Sequence, residues 1–337
     1  MDFPHPVGPH PFSRAQILAA GLPAHMWREA VESGALHRLR RGVYVLQIGA
    51  DDRTRYAQRV AAELITRRDH FAIADSAAAF HGLPNPWFTP WASRPARIAG
   101  PKARPDRGIE PARRLEAVET PWGPAADPVS AVIAVAADLP LPQALMVVDP
   151  VATLLAGTRD RRVLASEQCR ARVRQILQER VDLPVTRLAD PAADSPAESF
   201  CRGHLLVAGF PEPRCGVPRR GASGRQYFVD LLLGNLAIEV DGALKYTNLA
   251  ALTAEKLRED DLRDTGLGFH GSSWNISTQT RGARWHACTT SGPGKSGGPA
   301  RSPPADRSRP SAGHRRTPPP LRPAPPPGRS RGPSGSA

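Results

Sequence analysis

Residues 226–242 read QYFVDLLLGNLAIEVDG. Two aliphatic runs are separated by two residues, Gly234 and Asn235, the spacing of a tight β-hairpin. This segment constrains the fold most, because it sets a turn and a register together. Leu233 pairs with Leu236, Leu232 with Ala237, Leu231 with Ile238 and Asp230 with Glu239. Side chains alternate along a strand, so Val229, Leu231, Leu233, Leu236, Ile238 and Val240 share one aliphatic face that must pack on a core. The other face sets Asp230 across from Glu239, with Asp241 two residues on. Opposed like charges destabilise a sheet, their Cβ atoms being only about 5 Å apart. Such a pair calls for a cation or a shared proton. A divalent metal on oxygen ligands, Mg²⁺ above all, answers this most simply, with Asp230, Glu239 and Asp241 as ligands. The plain alternative is a solvated face whose acids point to water.

The flanks read as helices. DSPAESFCRGHLLVAGFPEP predicts a helix capped by Asp194 or Ser195 and ended by Gly209. Ala197, Cys201, Leu205 and Ala208 form its core stripe. Glu198 borders that stripe, where an acid can reach a sheet packed against the helix. Its alternative is an ordinary surface pair with Arg202, four residues on. Downstream, TAEKLREDDLRDTG predicts a charged helix ended by Gly266, with Glu255 and Arg258 on one face.

At the other end of the chain, Ser13 can cap a helix over 14–20, GLP makes a turn, and a second helix runs from Ala24 to Glu32. LHRLRRGVYVL follows as a basic loop leading into a strand. Helix, turn, helix and basic wing resemble a winged helix-turn-helix. Arg28, His37, Arg38, Arg40 and Arg41 suit phosphate contacts, and Arg28 can reach a base edge. Helix–turn–helix units also bind protein or merely pack, which is the bland reading. Between these regions, 55–67 is helical by its apolar spacing, 73–82 reads as a capped helix ending at Gly82, and 129–180 carry further helices. Ten prolines within 84–128 predict short strands and loops. His70, His81 and Asp75 do not make a metal spacing, and Ser76 with His81 reads as a helix face and a helix end.

The last 67 residues, 271–337, hold 13 prolines, 10 glycines and almost no large aliphatics. They cannot bury enough apolar area to offset chain entropy, so a disordered tail is expected. The same composition is that of a GC-rich gene read out of frame. The tail carries 11 Lys and Arg against one acid, so +10 of the net +13 lies there and the remaining 270 residues hold only +3. Overall basicity therefore says little about the folded part. Four cysteines without a CxxC pair suggest neither a zinc site nor a disulfide framework. Asp138, Pro140 and Pro142 interrupt the most apolar stretch, and the N-terminus has no apolar signal region, so a soluble, cytoplasmic protein is expected, with no membrane partner.

The ordered set SPAES, GFPEP, VDLLLGNLAIEVDGALKY and EKLREDDLRDTGL resembles an actinobacterial domain of unknown function related to very-short-patch-repair (Vsr) endonucleases, within the PD-(D/E)xK superfamily. The N-terminal segment resembles the winged helix of AbiEi-type antitoxins. Together the resemblances cover roughly residues 10–270. They imply Asp230 and Glu239 as metal ligands, Glu198 as the acid from the leading helix, and Lys245 as the residue that orients water or steadies phosphate. Glu255 and Arg258 would add supporting or phosphate contacts. Two departures stand out. Asp241 occupies the position of the superfamily's lysine, and no apolar strand follows DTGL.

The expected fold is a multidomain α/β chain. It comprises a winged helix-turn-helix at 1–50, a mixed α/β middle at 51–189, a restriction-endonuclease-like α/β core at 190–270 lacking its last strand, and a disordered tail at 271–337. The first functional reading is a DNA-binding protein with Mg²⁺-dependent phosphodiester cleavage, catalysed through Glu198, Asp230, Glu239 and Lys245 and contacting nucleic acid through Arg28, Arg38, Arg40, Arg41 and Arg258. The alternative is a non-enzymatic regulator of a toxin–antitoxin or phage-defence system, with DNA and a cognate toxin protein as partners, or an inactive truncated homologue.

Overall fold

The computed structural model describes residues 9–19, 21, 23–67, 69–102, 104, 109–111, 116–242, 249–274 and 286–287. Among these residues the chain is mixed α/β, with three sheets and helices between them.

The first unit runs β1 (Phe12–Ser13), α1 (Arg14–Ala19), α2 (Ala24–Glu32), β2 (His37–Arg40) and β3 (Val43–Val45). Ser13 starts α1 through a reciprocal cap. Its hydroxyl accepts the Gln16 N–H at 3.1 Å, and the Gln16 side chain accepts the Ser13 N–H at 2.8 Å. His37–Arg40, expected as loop, is a strand paired antiparallel with β3, and the sheet order is β1-β3-β2. The turn between them closes at Gly42, whose φ of 79° suits a residue without Cβ. Trp27 of α2 meets Tyr44 edge-on at 4.2 Å, and Phe12, Ile17, Ala30 and Leu36 complete a small core.

The middle region builds a five-stranded sheet, order β6-β5-β4-β8-β7, from Phe71–Ala72 (β4), Ile98–Gly100 (β5), Ile109–Pro111 (β6), Ala117–Thr120 (β7) and Gly123–Ala126 (β8). No strand of this sheet exceeds four residues, as the proline spacing predicts. Helices α3 (Asp52–Ile65), α4 (Ala74–Phe80), α5 (Pro128–Ala136), α6 (Leu141–Ala156), α7 (Arg161–Leu164) and α8 (Glu167–Arg180) follow the expected apolar stretches. Asp51, Asp127, Asp160 and Ser166 cap α3, α5, α7 and α8 with their side chains. Tyr56, Val60, Ala77, Val132, Leu145 and Leu177 lie in the largest core, which these helices share with the sheet. Ser76 is buried against the Tyr56 hydroxyl at 2.8 Å, and His81 ends α4 with its Nε2 2.8 Å from the Ala126 carbonyl.

The third unit runs α9 (Pro196–Val207), β9 (Arg214–Arg220), β10 (Gln226–Leu233), β11 (Leu236–Gly242), α10 (Leu249–Arg263), β12 (Gly268–Trp274) and β13 (His286–Ala287), with sheet order β13-β12-β11-β10-β9. The absence of a closing strand expected after DTGL is overturned. Gly268–Trp274 pairs parallel with β11 over seven positions, and α10 supplies the crossover a parallel pair requires. Backbone pairing does not need apolar side chains. Two contacts set the register: Gly268 N–H donates to Asn235 O at 3.0 Å, and the Asn235 amide donates to Gly266 O at 2.8 Å. Leu267 and Phe269 add apolar anchorage under the sheet. The boundary placed at residue 270 thus falls inside a strand, and residues 271–274 belong to the sheet, not to a tail. Apart from 286–287, the remainder of 271–337 lies outside the described residues.

The hairpin register is as the turn requires: Leu233 with Leu236, Leu232 with Ala237, Leu231 with Ile238. Both faces are buried, however. Cys215, Leu231, Ile238 and Val240 pack toward α7 and α9 with Leu164 and Cys201. Val217, Val229, Leu232 and Ala237 pack with Leu262 of α10 and with Leu267. Val229 therefore leaves the face assigned to it. The alternation breaks at Gly216 and Asp230, where Gly216 adopts φ 57° and a Cβ would stand 2.9 Å from Ala192 O.

The boundary near residue 190 crosses the most deeply buried polar network. Arg202 and Asp149 are both fully buried, with guanidinium–carboxylate distances of 2.7 and 2.8 Å. Arg202 also donates to Leu188 O at 2.8 Å, and the Asp190 N–H donates to Asp149 at 2.9 Å. Arg170 of α8 reaches Asp190 at 3.2 Å. The surface pair Glu198–Arg202 is not formed; Arg202 is the bolt between α9 and α6. These helices approach closely at Gly203, where a Cβ would lie 2.4 Å from Pro142 Cα. Backbone cannot yield as a side chain would, so Gly203→Ala is expected to cost about 1–3 kcal/mol, read as a lowered midpoint in urea unfolding. An unchanged midpoint would mean that α6 and α9 slide apart freely.

Candidate functional site

Two groups of residues carry the chemistry. The first lies on the helix–wing unit. Arg28 on α2, Arg38 on β2 and Arg41 at the turn are solvent-exposed, and among the described residues none has an acidic partner. Arg40 differs: it forms an ion pair with Glu63 of α3 and so ties the wing to the middle region. Sequence spacing could not separate it from its neighbours, because Glu63 lies on another element.

The second group is acidic. Glu198 is buried at the start of α9, where it completes a capping box. Its Oε1 accepts from the Ser195 hydroxyl at 2.8 Å and its Oε2 from the Asp194 N–H at 3.0 Å, while the Ser195 hydroxyl accepts the Glu198 N–H at 3.2 Å. Burial, reinforced by the negative charge of Asp230, pushes its carboxyl up to about 7. Asp230 sits where the hairpin ladder ends. Its Oδ2 takes the Val240 N–H at 3.0 Å, replacing a backbone acceptor. Glu239 hydrogen-bonds Asp230, and burial together with that neighbouring charge pushes its carboxyl up to about 8. Arg258 opposes this shift by donating to Glu239 Oε1 at 3.0 Å, and it also donates to Phe228 O at 2.6 Å. Arg258 is therefore turned onto the sheet and steadies Glu239; the resemblance gave it either a supporting or a phosphate contact. Lys245 lies outside the described residues, as do the side chains of Asp241 and Glu255.

The structure thus brings Glu198 from a helix and Glu239 from a strand each within electrostatic reach of Asp230 on the neighbouring strand. Burial and the Asp230 charge favour the protonated form of Glu239, which hydrogen-bonds Asp230. Such a pair can take up or release a proton, or exchange it for a cation. In kind, two neighbouring carboxyl groups fit a hard divalent ion. In arrangement, no group of three or more His, Cys, Asp or Glu among the described residues is set to hold a metal ion, and both oxygens of Glu198 are engaged in its cap.

Residues 10–47 match the family model of AbiEi antitoxin transcriptional regulators. The match spans the whole helix–wing unit and stops before α3. A search among curated proteins finds no match. Among the described residues no helix is long and apolar enough to cross a membrane, and Cys169, Cys201 and Cys215 are free thiols.

Sequence reasoning missed the role of Arg202 and with it the Asp149–Asp190 network. A signal was present. Positions 198, 201, 202 and 205 follow core spacing along α9, so Glu198 and Arg202 both occupy inward places on one stripe.

Proposed function

We propose that the chain is a DNA-binding regulator of antitoxin type. The observation that carries this is the helix–helix–hairpin unit at 12–45, matched over 10–47 by a family of antitoxin transcriptional regulators. Read as a winged helix-turn-helix, α2 enters the major groove, Arg28 contacts a base edge or phosphate, and Arg38 and Arg41 at the hairpin hold the backbone. The same reading gives the protein a cognate toxin as partner. The test is binding of a labelled duplex spanning the gene's own upstream region, followed by fluorescence anisotropy in EDTA. Arg28→Ala with Arg38→Ala and Arg41→Ala is expected to weaken binding at least about tenfold and to reduce the slope of log affinity against log salt by about 2–3. Equal affinity of the triple variant and the wild type would refute the wing as the DNA contact.

A second reading is favoured by the Glu198–Asp230–Glu239 cluster on a helix and a hairpin, with α10 crossing over to β12. It is a PD-(D/E)xK-type nuclease core. In it Asp230 and Glu239 would hold Mg²⁺, which when bound supplies an activated water and charge stabilisation at a phosphodiester. The chain's own groups support that role in definite ways: Arg258 orients Glu239, the Val240 N–H orients Asp230, and burial keeps competing water from the pair. Asp241 and Lys245 remain the candidates for the positions beside it.

A further inference from the structure

Arginines gather where α7 meets the β9–β10 ribbon. Arg162 donates to Gln226 Oε1 at 2.6 Å. Gln226 pairs across the ribbon with Arg220. The Arg161 guanidinium lies 4.7 Å from the centre of the Phe228 ring, two residues along the same strand. Paired residues share a face, as do positions two apart, so Arg220, Gln226 and Phe228 line one side of the ribbon under Arg161 and Arg162. Arg162 and Arg220 are exposed, and among the described residues neither has an acidic partner. The acids nearby are already engaged. Asp160 caps α7 by accepting the Arg162 N–H at 2.9 Å, and Asp194 stands 3.4 Å from Arg161.

The surface leads to the acid cluster. Asp194, the partner of Arg161, donates its N–H to Glu198. Phe228, the ring under Arg161, offers its carbonyl to Arg258, which in turn holds Glu239. A cleft of about 670 Å³ opens alongside, between the ends of α4 and α6 and the start of α9, with Arg159, Asp194 and Ser195 among its lining.

We propose that Arg161, Arg162 and Arg220 form a second nucleic-acid contact, separate from the wing, that takes the phosphate backbone of DNA beside the acid cluster. Guanidinium forks match phosphate oxygens bidentately and stack on aromatic rings, and Phe228 already organises one of them. A polyanion with closely spaced charges fits guanidinium groups gathered from α7 and β9 onto one surface. The choice of DNA as occupant rests on the proposed DNA-binding function, whereas the residues and the surface do not.

The test uses the full-length chain and a labelled random-sequence duplex in EDTA, with affinity measured across a salt series. Arg162→Ala with Arg220→Ala is expected to lower affinity and to reduce the slope of log affinity against log salt by about 2, one for each phosphate no longer neutralised. Arg162→Lys with Arg220→Lys keeps the charges and is expected to retain most of the slope. The wing variants are measured in parallel. An unchanged slope in the double-alanine variant, with binding abolished in the wing variant, overturns this proposal and leaves the wing reading standing. A reduced slope in the double-alanine variant alone supports the patch and removes the wing as the main contact. Competition by polyglutamate at the patch as strong as by DNA shows an acidic protein partner instead and overturns the proposal. Failure of the wild type to bind any duplex overturns both.

Discussion

Replacing Arg202 with methionine lowers stability by about 3–5 kcal/mol, because it strands the Asp149 carboxyl, which burial already pushes up, without its partner in a site that water does not reach. Arg202 and Asp149 have no exposed side-chain surface, and the guanidinium supplies two hydrogen bonds to the carboxylate. The attraction in such a pair roughly offsets its desolvation, so the loss measures the stranded carboxyl more than the value of the bond. Adding Asp149→Asn to Arg202→Met removes the ionisable group, and the amide oxygen still accepts the Asp190 N–H. The double variant is expected to recover a large part of the loss, and the comparison forms a double-mutant cycle. Urea unfolding midpoints at pH 7 provide the readout. A loss below about 1 kcal/mol in the single variant would show that water or a shifted carboxylate satisfies Asp149, and the bolt between α6 and α9 would be dismissed.

The acid cluster carries the second large effect, and its sign follows from proton binding. In the unfolded chain Glu239 titrates near 4.5; in the folded chain it titrates at about 8. Glu198 moves in the same direction, from 4.5 to about 7. Between these values the folded protein holds protons that the unfolded chain has released. The stabilisation is complete below pH 4.5 and is lost as pH rises toward 8. Glu239→Gln cannot ionise, so it flattens this limb. Above pH 8 it is expected to be more stable than the wild type by a few kcal/mol, on the order of the 1.4 kcal/mol per unit that a shift represents. The Gln oxygen still accepts from Arg258, which keeps the substitution conservative. Mg²⁺ extends the experiment. If Asp230 and Glu239 hold the ion, millimolar Mg²⁺ raises the wild-type midpoint above pH 8, where Glu239 gives up its proton, and leaves Glu239→Gln unmoved. Identical Mg²⁺ responses would remove the metal reading, and a stability profile flat from pH 5 to 8 would remove the shared proton.

Much of this site was legible from residues 226–242. A two-residue turn fixes which residues face each other, and two acids close together in an aliphatic hairpin already implied a proton or a cation. The structure changed the manner of their meeting. The ladder ends at Leu231–Ile238, and the Asp230 carboxylate takes the Val240 N–H for itself. Glu198 was placed at the edge of a core stripe, and it lies near Asp230 because α9 packs on that sheet. Arg40 read as a phosphate contact and Arg258 as a neighbour of Glu255 on its helix, yet each is held by a glutamate from another element. A charge can be recognised in a sequence; whether it is spent on a partner depends on what the fold brings opposite.

The sequence by itself determined the local elements. Caps such as Ser13, Asp51, Asp127 and Ser195, the Gly234–Asn235 turn, the proline spacing over 84–128 and the apolar periodicity of the helices each act within a few residues. Local hydrogen bonds and backbone sterics are enough to fix them. Tertiary structure alone decided three other matters. It made Gly268–Trp274 a strand, because β11 and α10 offered backbone partners and cover that a polar segment does not announce. It turned a supposed surface arginine into the bolt between α6 and α9. It gathered acids from α9, β10 and β11 into one cluster whose proton affinity no single residue possesses. Each of these depends on burial and on partners distant along the chain, which local patterns do not encode.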